Sequence, residues 1–76
     1  MQSLNILRDF VSNCEGSQAI KGTICKTIDA MYSGVDGIAV LRAAGQAMAM
    51  DEASLGLYGK IVDMVEAERG MKAGAV

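Results

Sequence analysis

Apolar residues recur along this chain at spacings of three and four positions, and strict alternation of apolar and polar residues is absent. This spacing matches the period of an α-helix and not that of a β-strand. Glycine, serine and aspartate signals divide the pattern into four segments, and no proline interrupts them. The sequence therefore predicts an all-α fold, a small bundle of three or four helices over residues 3–13, 17–32, 36–50 and 51–69.

The ends of these segments carry capping signals. Ser3 and Asp36 are candidate N-caps of the first and third helices, and Gly70 is the predicted stop after the fourth. We therefore expect one helical domain over residues 1–70, followed by a short tail over residues 71–76. The third and fourth segments are either separate helices or one long, bent helix.

The third segment is apolar almost all the way round. After the capping residue Asp36, only Arg42 and Gln46 are strongly polar within it, and a helix of this composition is normally buried. Ala39, Ala43 and Ala47 form a ridge of small residues at i, i+4 and i+8, over which another helix can approach closely. Because three short helices cannot surround a fourth completely, we expect part of this helix to face a second copy of the chain.

The short length of the chain also favours self-association. A chain of 76 residues buries only about 60% of the surface that its unfolded form exposes, so small folds commonly need a disulfide, a metal or another subunit. The chain has no histidine and only two cysteines, eleven positions apart, so a four-ligand zinc site is not expected. Self-association, as a dimer or a higher oligomer, is the expected source of additional stability.

Cys14 and Cys25 are the two cysteines. A disulfide framework in a small secreted protein normally uses four or more, and the stretch from Met1 to Val11 lacks the uninterrupted apolar run of a secretory signal. We interpret both cysteines as reduced, apolar side chains that face the core. This predicts a cytoplasmic protein, in the host cytoplasm or the virion if the chain is viral.

Charge bears on the class of partner. The net charge is −2, and the seven Lys and Arg residues are scattered singly, so the basic patch of a nucleic-acid-binding protein is missing. The longest nearly apolar run, residues 37–50, is too short to span a bilayer. We therefore expect a soluble protein that binds no membrane, metal or cofactor, and for which nucleic acid is not the expected partner.

One segment nevertheless has the spacing of a helix-turn-helix. Ala30, Gly34 and Val40 match the small residue, the turn glycine and the buried branched residue of that motif. The helix that would read the DNA groove, however, carries only one cation, Arg42, beside Asp36 and aliphatic residues. A small DNA-binding regulator is therefore the alternative hypothesis, behind an ordinary corner between two helices.

Catalytic residues are missing from the pattern. Without histidine there is no imidazole base at neutral pH, and a cysteine nucleophile would lack its usual partner. Several apolar residues could instead act in an interface. Met48, Met50 and Met64 are interpreted first as gap-filling core residues. As an alternative, methionine and tyrosine suit adaptable protein-binding surfaces, which predicts a groove between the last two helices. The candidate interface residues are Ala39, Ala43, Ala47, Met48, Met50, Leu57, Tyr58 and Tyr32.

These observations predict a non-enzymatic module for protein–protein interaction or assembly, which acts as a homo-oligomeric structural or adaptor protein. Compact helical chains of this size are frequent among bacteriophage proteins. A virion component or a small inhibitor of a host protein is therefore one hypothesis for its biological setting. No motif identifies the partner.

Overall fold

Four helices make up the protein in a computed structural model, which describes residues 2–74, with side chains described over residues 2–70. The helices are α1 (Gln2–Asn13), α2 (Gln18–Tyr32), α3 (Ile38–Ala47) and α4 (Glu52–Gly74). Within these residues there is no β-strand. The predicted all-α class is confirmed, and the third and fourth segments are separate helices.

The four helices form a ring in chain order. α1 and α3 each pack against α2 and α4, whereas the diagonal pairs do not approach each other closely. As a result, the α1–α4 side and the α2–α3 side lie on opposite faces of the bundle. All four helices contribute to one apolar core, which consists of Leu4, Leu7, Val11, Ile24, Ile28, Met31, Ile38, Leu41, Ala44, Met48, Tyr58, Ile61, Val62 and Val65.

The start of α1 differs from the prediction. Ser3 lies inside the helix and is fully buried, so it is not the N-cap. Its backbone N–H donates to Glu68 Oε2 at 3.3 Å, and its hydroxyl donates to the same oxygen. A carboxylate from the end of α4 therefore satisfies a backbone N–H that has no partner within the first turn of α1.

The starts of α2 and α3 agree more closely with the sequence pattern. Ser17 is the N-cap of α2, and its hydroxyl accepts a hydrogen bond from the N–H of Ile20. At α3 the N-cap is Gly37, one residue later than predicted, but Asp36 Oδ1 still accepts from the N–H of Ile38 at 3.2 Å. Asp36 therefore satisfies this helix end from one position outside it.

A turn separates α3 from α4. Ala49 adopts a left-handed conformation with φ of 55°, which breaks the helix three residues before the predicted boundary. Asp51 then accepts a hydrogen bond from the N–H of Ser54 at 3.2 Å. Hydrogen bonds from the hydroxyl and backbone of Ser54 lower the pKa of Asp51. Asp51 therefore caps α4 as an ionised carboxylate.

The other end of α4 departs from the pattern. The helix continues through Gly70 to Gly74, so the prediction that Gly70 ends the helix is wrong. No neighbouring atom surrounds the position that a Cβ of Gly70 would take, and a glycine in such a place lowers helix stability by about 1 kcal/mol without breaking the helix. Residues 75 and 76 of the predicted tail lie outside the described residues.

Tyr58 is the largest fully buried side chain of the core. Its hydroxyl donates a hydrogen bond to the backbone carbonyl of Leu41, and its ring packs against Phe10, with 6.4 Å between the ring centroids. Burial raises the pKa of Tyr58 to about 12. Tyr58 therefore connects α4 to α1 and α3 within the core.

The raised pKa of Tyr58 predicts a loss of stability at high pH. The folded protein holds the phenol proton more tightly than the unfolded chain, so this stabilisation is present below pH 10, the ordinary pKa, and is lost as the pH rises towards about 12. Tyr58→Phe should lack this component. Urea unfolding at pH 8, 10 and 11 tests the difference between the two proteins; equal pH slopes would contradict the prediction.

Candidate protein-binding surface

A shallow apolar groove of about 300 Å³ runs between α2 and α3. We call it the α2–α3 groove. Two neighbouring helices supply its walls, and no charged side chain lines it. Its lining residues are Ile20, Thr23, Val40, Ala43, Ala44 and Ala47.

The groove belongs to the side of α3 that the chain leaves uncovered. The inner side of the helix packs into the core through Ile38, Leu41 and Ala44. Ala39, Ala43 and Ala47 are exposed, and Val40 is 46% exposed. The prediction that the other helices cannot cover α3 completely is confirmed, and what covers its outer side stays a prediction.

Thr23, the one polar residue among those that line the groove, already has a hydrogen-bond partner within its own helix. Its hydroxyl donates to the carbonyl of Ala19 at 3.1 Å. One turn further along α2, outside the groove, the hydroxyl of Thr27 donates to the carbonyl of Thr23 at 2.8 Å. Hydroxyl groups paired in this way lose no protein hydrogen bond when a partner covers them. The surface can therefore become buried without leaving an unsatisfied polar side chain.

A second apolar surface lies along the junction of α1 and α4. Ile6, Leu57 and Met64 are 39%, 49% and 47% exposed, and together we call them the α1–α4 strip. In α1, Ile6 falls between Ser3 and Phe10, both of which contact α4.

In α4, Leu57 and Met64 likewise lie on the side that faces α1. Leu57 and Met64 share one helical stripe with Ile61, which is buried, and with Glu68, which binds Ser3 of α1. Because α1 and α4 run antiparallel, Ile6 and Met64 lie at the same level of the bundle. The three side chains therefore lie on the side of the bundle opposite the α2–α3 groove.

The structure has a cavity of about 150 Å³ between the last two helices, but of the predicted groove residues only Tyr58 lines it, together with Arg42, Gln46, Leu55, Gly59 and Val62. Met48 and Tyr58 are buried in the core, Met50 is partly buried against it, and Leu57 lies on the α1 side of α4. The interpretation of Met48 as a gap-filling core residue is therefore confirmed, whereas the placement of Met48 and Tyr58 in an exposed interface is wrong. Met64, which is 47% exposed, does not fill the core. Met48 and Tyr58 fill the space between helices that a partner would have had to enter.

Tyr32 lies on the surface, away from both apolar surfaces. Its hydroxyl donates to Asn5 Oδ1, and the guanidinium group of Arg8 lies 6.0 Å from the centre of its ring. Arg8 in turn pairs with Asp29. These contacts connect α1 to α2, so they account for Tyr32 within a single chain.

The structure meets one requirement of the helix-turn-helix motif and fails another. Gly34 has a positive φ of 102°, as the turn requires. Val40, however, is exposed, so the buried anchor that the helix-turn-helix alternative requires at this position is not found. Arg42 donates to Asp63 at 2.8 Å and to Glu66 at 3.4 Å, so the one cation of this helix is paired with acidic groups of α4.

Cys14 and Cys25 are both free thiols and both partly buried. Cys14 packs against the core, in agreement with the apolar role predicted for it. It also borders an open cleft of about 560 Å³ at the end of the bundle, together with Phe10, Met50 and Asp51. Two carboxylates, those of Glu15 and Asp51, line this cleft beside apolar side chains.

Two further findings concern the described residues alone. No three side chains of His, Cys, Asp or Glu among them lie close enough together to hold a metal ion. None of the helices within them has the length and apolar character needed to cross a membrane.

Comparison with known proteins gives no match for this chain, whether with family models, curated proteins or solved structures.

Proposed function

We propose that this protein is a non-enzymatic assembly module, a homo-oligomeric structural or adaptor protein that binds further copies of its own chain. The observation that carries this proposal is the α2–α3 groove, an uncharged apolar surface that the chain leaves uncovered. Exposed apolar surface of this kind typically marks a protein interaction site.

The chemistry of the groove favours a stable interface over a transient, hydrated one. The hydroxyl of Thr23, its one polar lining residue, is already paired within α2, and its other lining residues are aliphatic. Interfaces of permanent homo-oligomers are more apolar than those of transient complexes, and they resemble a domain core cut in half. Ala43 and Ala47 leave room for side chains of the partner to enter.

Ala43→Glu tests this function. Ala43 is exposed in the single chain, so glutamate there should leave the fold intact, but in an assembled interface it would bury an unpaired carboxylate. Such a group costs about 3 kcal/mol, which weakens association more than a hundredfold. Sedimentation velocity should therefore show the variant at the mass of one chain, 7.9 kDa, at concentrations where the unmodified protein is larger.

Gln46→Glu is the matched control. Gln46 is exposed on the same helix, but it lies on the α4 side beside Arg42 and outside the α2–α3 groove. This control adds the same charge and should leave the assembly unchanged. If Ala43→Glu and Gln46→Glu sediment alike, the groove is not the interface, and the proposal fails.

A further inference from the structure

The first two turns of α4 are poorly anchored to the rest of the bundle. No residue from Glu52 to Leu57 is buried, and none of them belongs to the apolar core or to the side chains packed against it. The first buried side chain of the helix is Tyr58. We call residues 52–57 the α4 start. A segment with so little buried apolar surface is held mainly by its own backbone hydrogen bonds, and its local stability is low.

Hollows lie on both sides of the α4 start. On one side is the cleft of about 560 Å³ at the end of the bundle, which Ser54 lines together with Phe10. On the other side is the cavity of about 150 Å³ between α3 and α4, which Leu55 lines together with Tyr58. The ring centroids of Phe10 and Tyr58 are 6.4 Å apart. This aromatic pair therefore stands between the two hollows, beside the α4 start.

The backbone in and around this segment is unfavourable for a helix. A Cβ at Gly56 or at Gly59 would meet no atom within 4 Å, so no close contact requires a glycine at either position. Glycine within a helix favours the unfolded segment about fivefold relative to alanine. Ala49, in the turn that leads into the segment, has a left-handed φ of 55°, which is unfavourable for a residue other than glycine. A released segment no longer requires this conformation.

We infer that the α4 start opens as one unit while the rest of the bundle stays folded. The opening ends at Tyr58, which is buried in the core and bonded to the carbonyl of Leu41. In the open state the cleft and the cavity join into one hollow, with the rings of Phe10 and Tyr58 in its wall, and such a minor conformation is a cryptic pocket. The opening is independent of the proposed self-association, because no residue of the α4 start lines the α2–α3 groove.

Native-state hydrogen exchange, followed for each amide by NMR, tests this inference. The N–H of Leu55 donates to the carbonyl of Asp51 at 2.9 Å, so the amides of residues 55–57 report on the closed helix. Ile28 and Val62 are fully buried, and their amides report on unfolding of the whole bundle. Exchange at residues 55–57 should be faster than at these two core amides.

Two glycine variants separate local opening from global unfolding. Gly56→Ala should slow exchange at residues 55–57 about fivefold, and by the same factor at each, because one opening exposes all three amides. Gly22→Ala is the matched control. It makes the same change in α2, which does not approach α4 closely, so it should slow exchange at Val62 about fivefold and leave residues 55–57 unchanged.

Either of two results overturns the inference. If Gly22→Ala slows residues 55–57 by the same factor as Val62, these amides exchange only when the whole protein unfolds. If Gly56→Ala slows them by unequal factors, single residues fray and the segment does not open as a unit. The mass of the protein in solution is a separate measurement, so a failure of the proposed function leaves these exchange results as they are.

Discussion

Replacing Gly45 with alanine is expected to lower the free energy of unfolding by about 2 kcal/mol. Gly45 lies in α3 and faces the ring of Tyr58. A Cβ at this position would lie 2.7 Å from Tyr58 Cδ1 and closer still to Cε1. The ring has little freedom to move away, because it is buried and its hydroxyl is bonded to the carbonyl of Leu41.

Two other glycines supply controls for this substitution. Gly22 and Gly56 also lie within helices, but a Cβ at either position would meet no atom within 4 Å. Alanine there should raise stability by about 1 kcal/mol, because it removes the conformational cost of glycine in a helix. Thermal unfolding of the three variants measures the contrast. A Gly45→Ala protein as stable as the Gly22→Ala protein would contradict the packing of α3 on Tyr58.

Removing the carboxylate of Glu68 is the second substitution expected to have a large effect. Ser3 is fully buried, and both its N–H and its hydroxyl donate to Glu68. Glu68→Ala leaves these two donors without that acceptor, and an unsatisfied buried donor costs about 1–3 kcal/mol. We expect a loss of about 2 kcal/mol, measured by urea unfolding.

Glu68→Gln is the matched control, because the amide oxygen still accepts a hydrogen bond. It should retain part of the stability that Glu68→Ala loses. Ser3→Ala removes the hydroxyl, so the effect of a subsequent Glu68→Ala should be smaller in that background. If the two single changes are simply additive, the contact between α1 and α4 does not contribute as described.

The sequence pattern predicted the elements of this fold better than the contacts between them. Residues of a helix that face the core recur every three or four positions, so the four helices can be predicted from the spacing of apolar residues. Ser3 shows the limit. A serine near a helix start is usually a cap. The burial of Ser3 depends on the packing of α4 on α1, which brings Glu68 beside it.

The sequence also predicted part of the candidate surface, but not all of it. The run of small residues from Ala39 to Ala47 indicates that α3 has apolar surface to spare, and the structure leaves that side uncovered. The helix-turn-helix alternative required Val40 to be buried, but it is exposed. Spacing alone does not encode the direction in which α2 and α3 cross, so it cannot decide which residues the crossing buries. Ile6 and Met64 lie just beside the buried stripes of their helices. Their exposure depends on how α1 and α4 are rotated against each other, which a single-chain pattern does not reveal.

Met48 and Tyr58 show why large apolar residues are difficult to assign from sequence. Each suits an interface as well as a core, because both environments exclude water. Gly45 explains why Tyr58 lies in the core. Because glycine has no side chain, it leaves space on α3 that the ring of Tyr58 occupies. A glycine within an apolar helix can therefore indicate where a buried aromatic ring packs.

The mass of the unmodified protein in solution is the most direct test of the central claim that this chain associates with itself. Sedimentation velocity over a range of concentrations should give a mass above that of one chain, 7.9 kDa, which rises with concentration. A mass of one chain at every concentration, with the protein fully folded, would contradict the claim. The α2–α3 groove would then stay uncovered by any second copy.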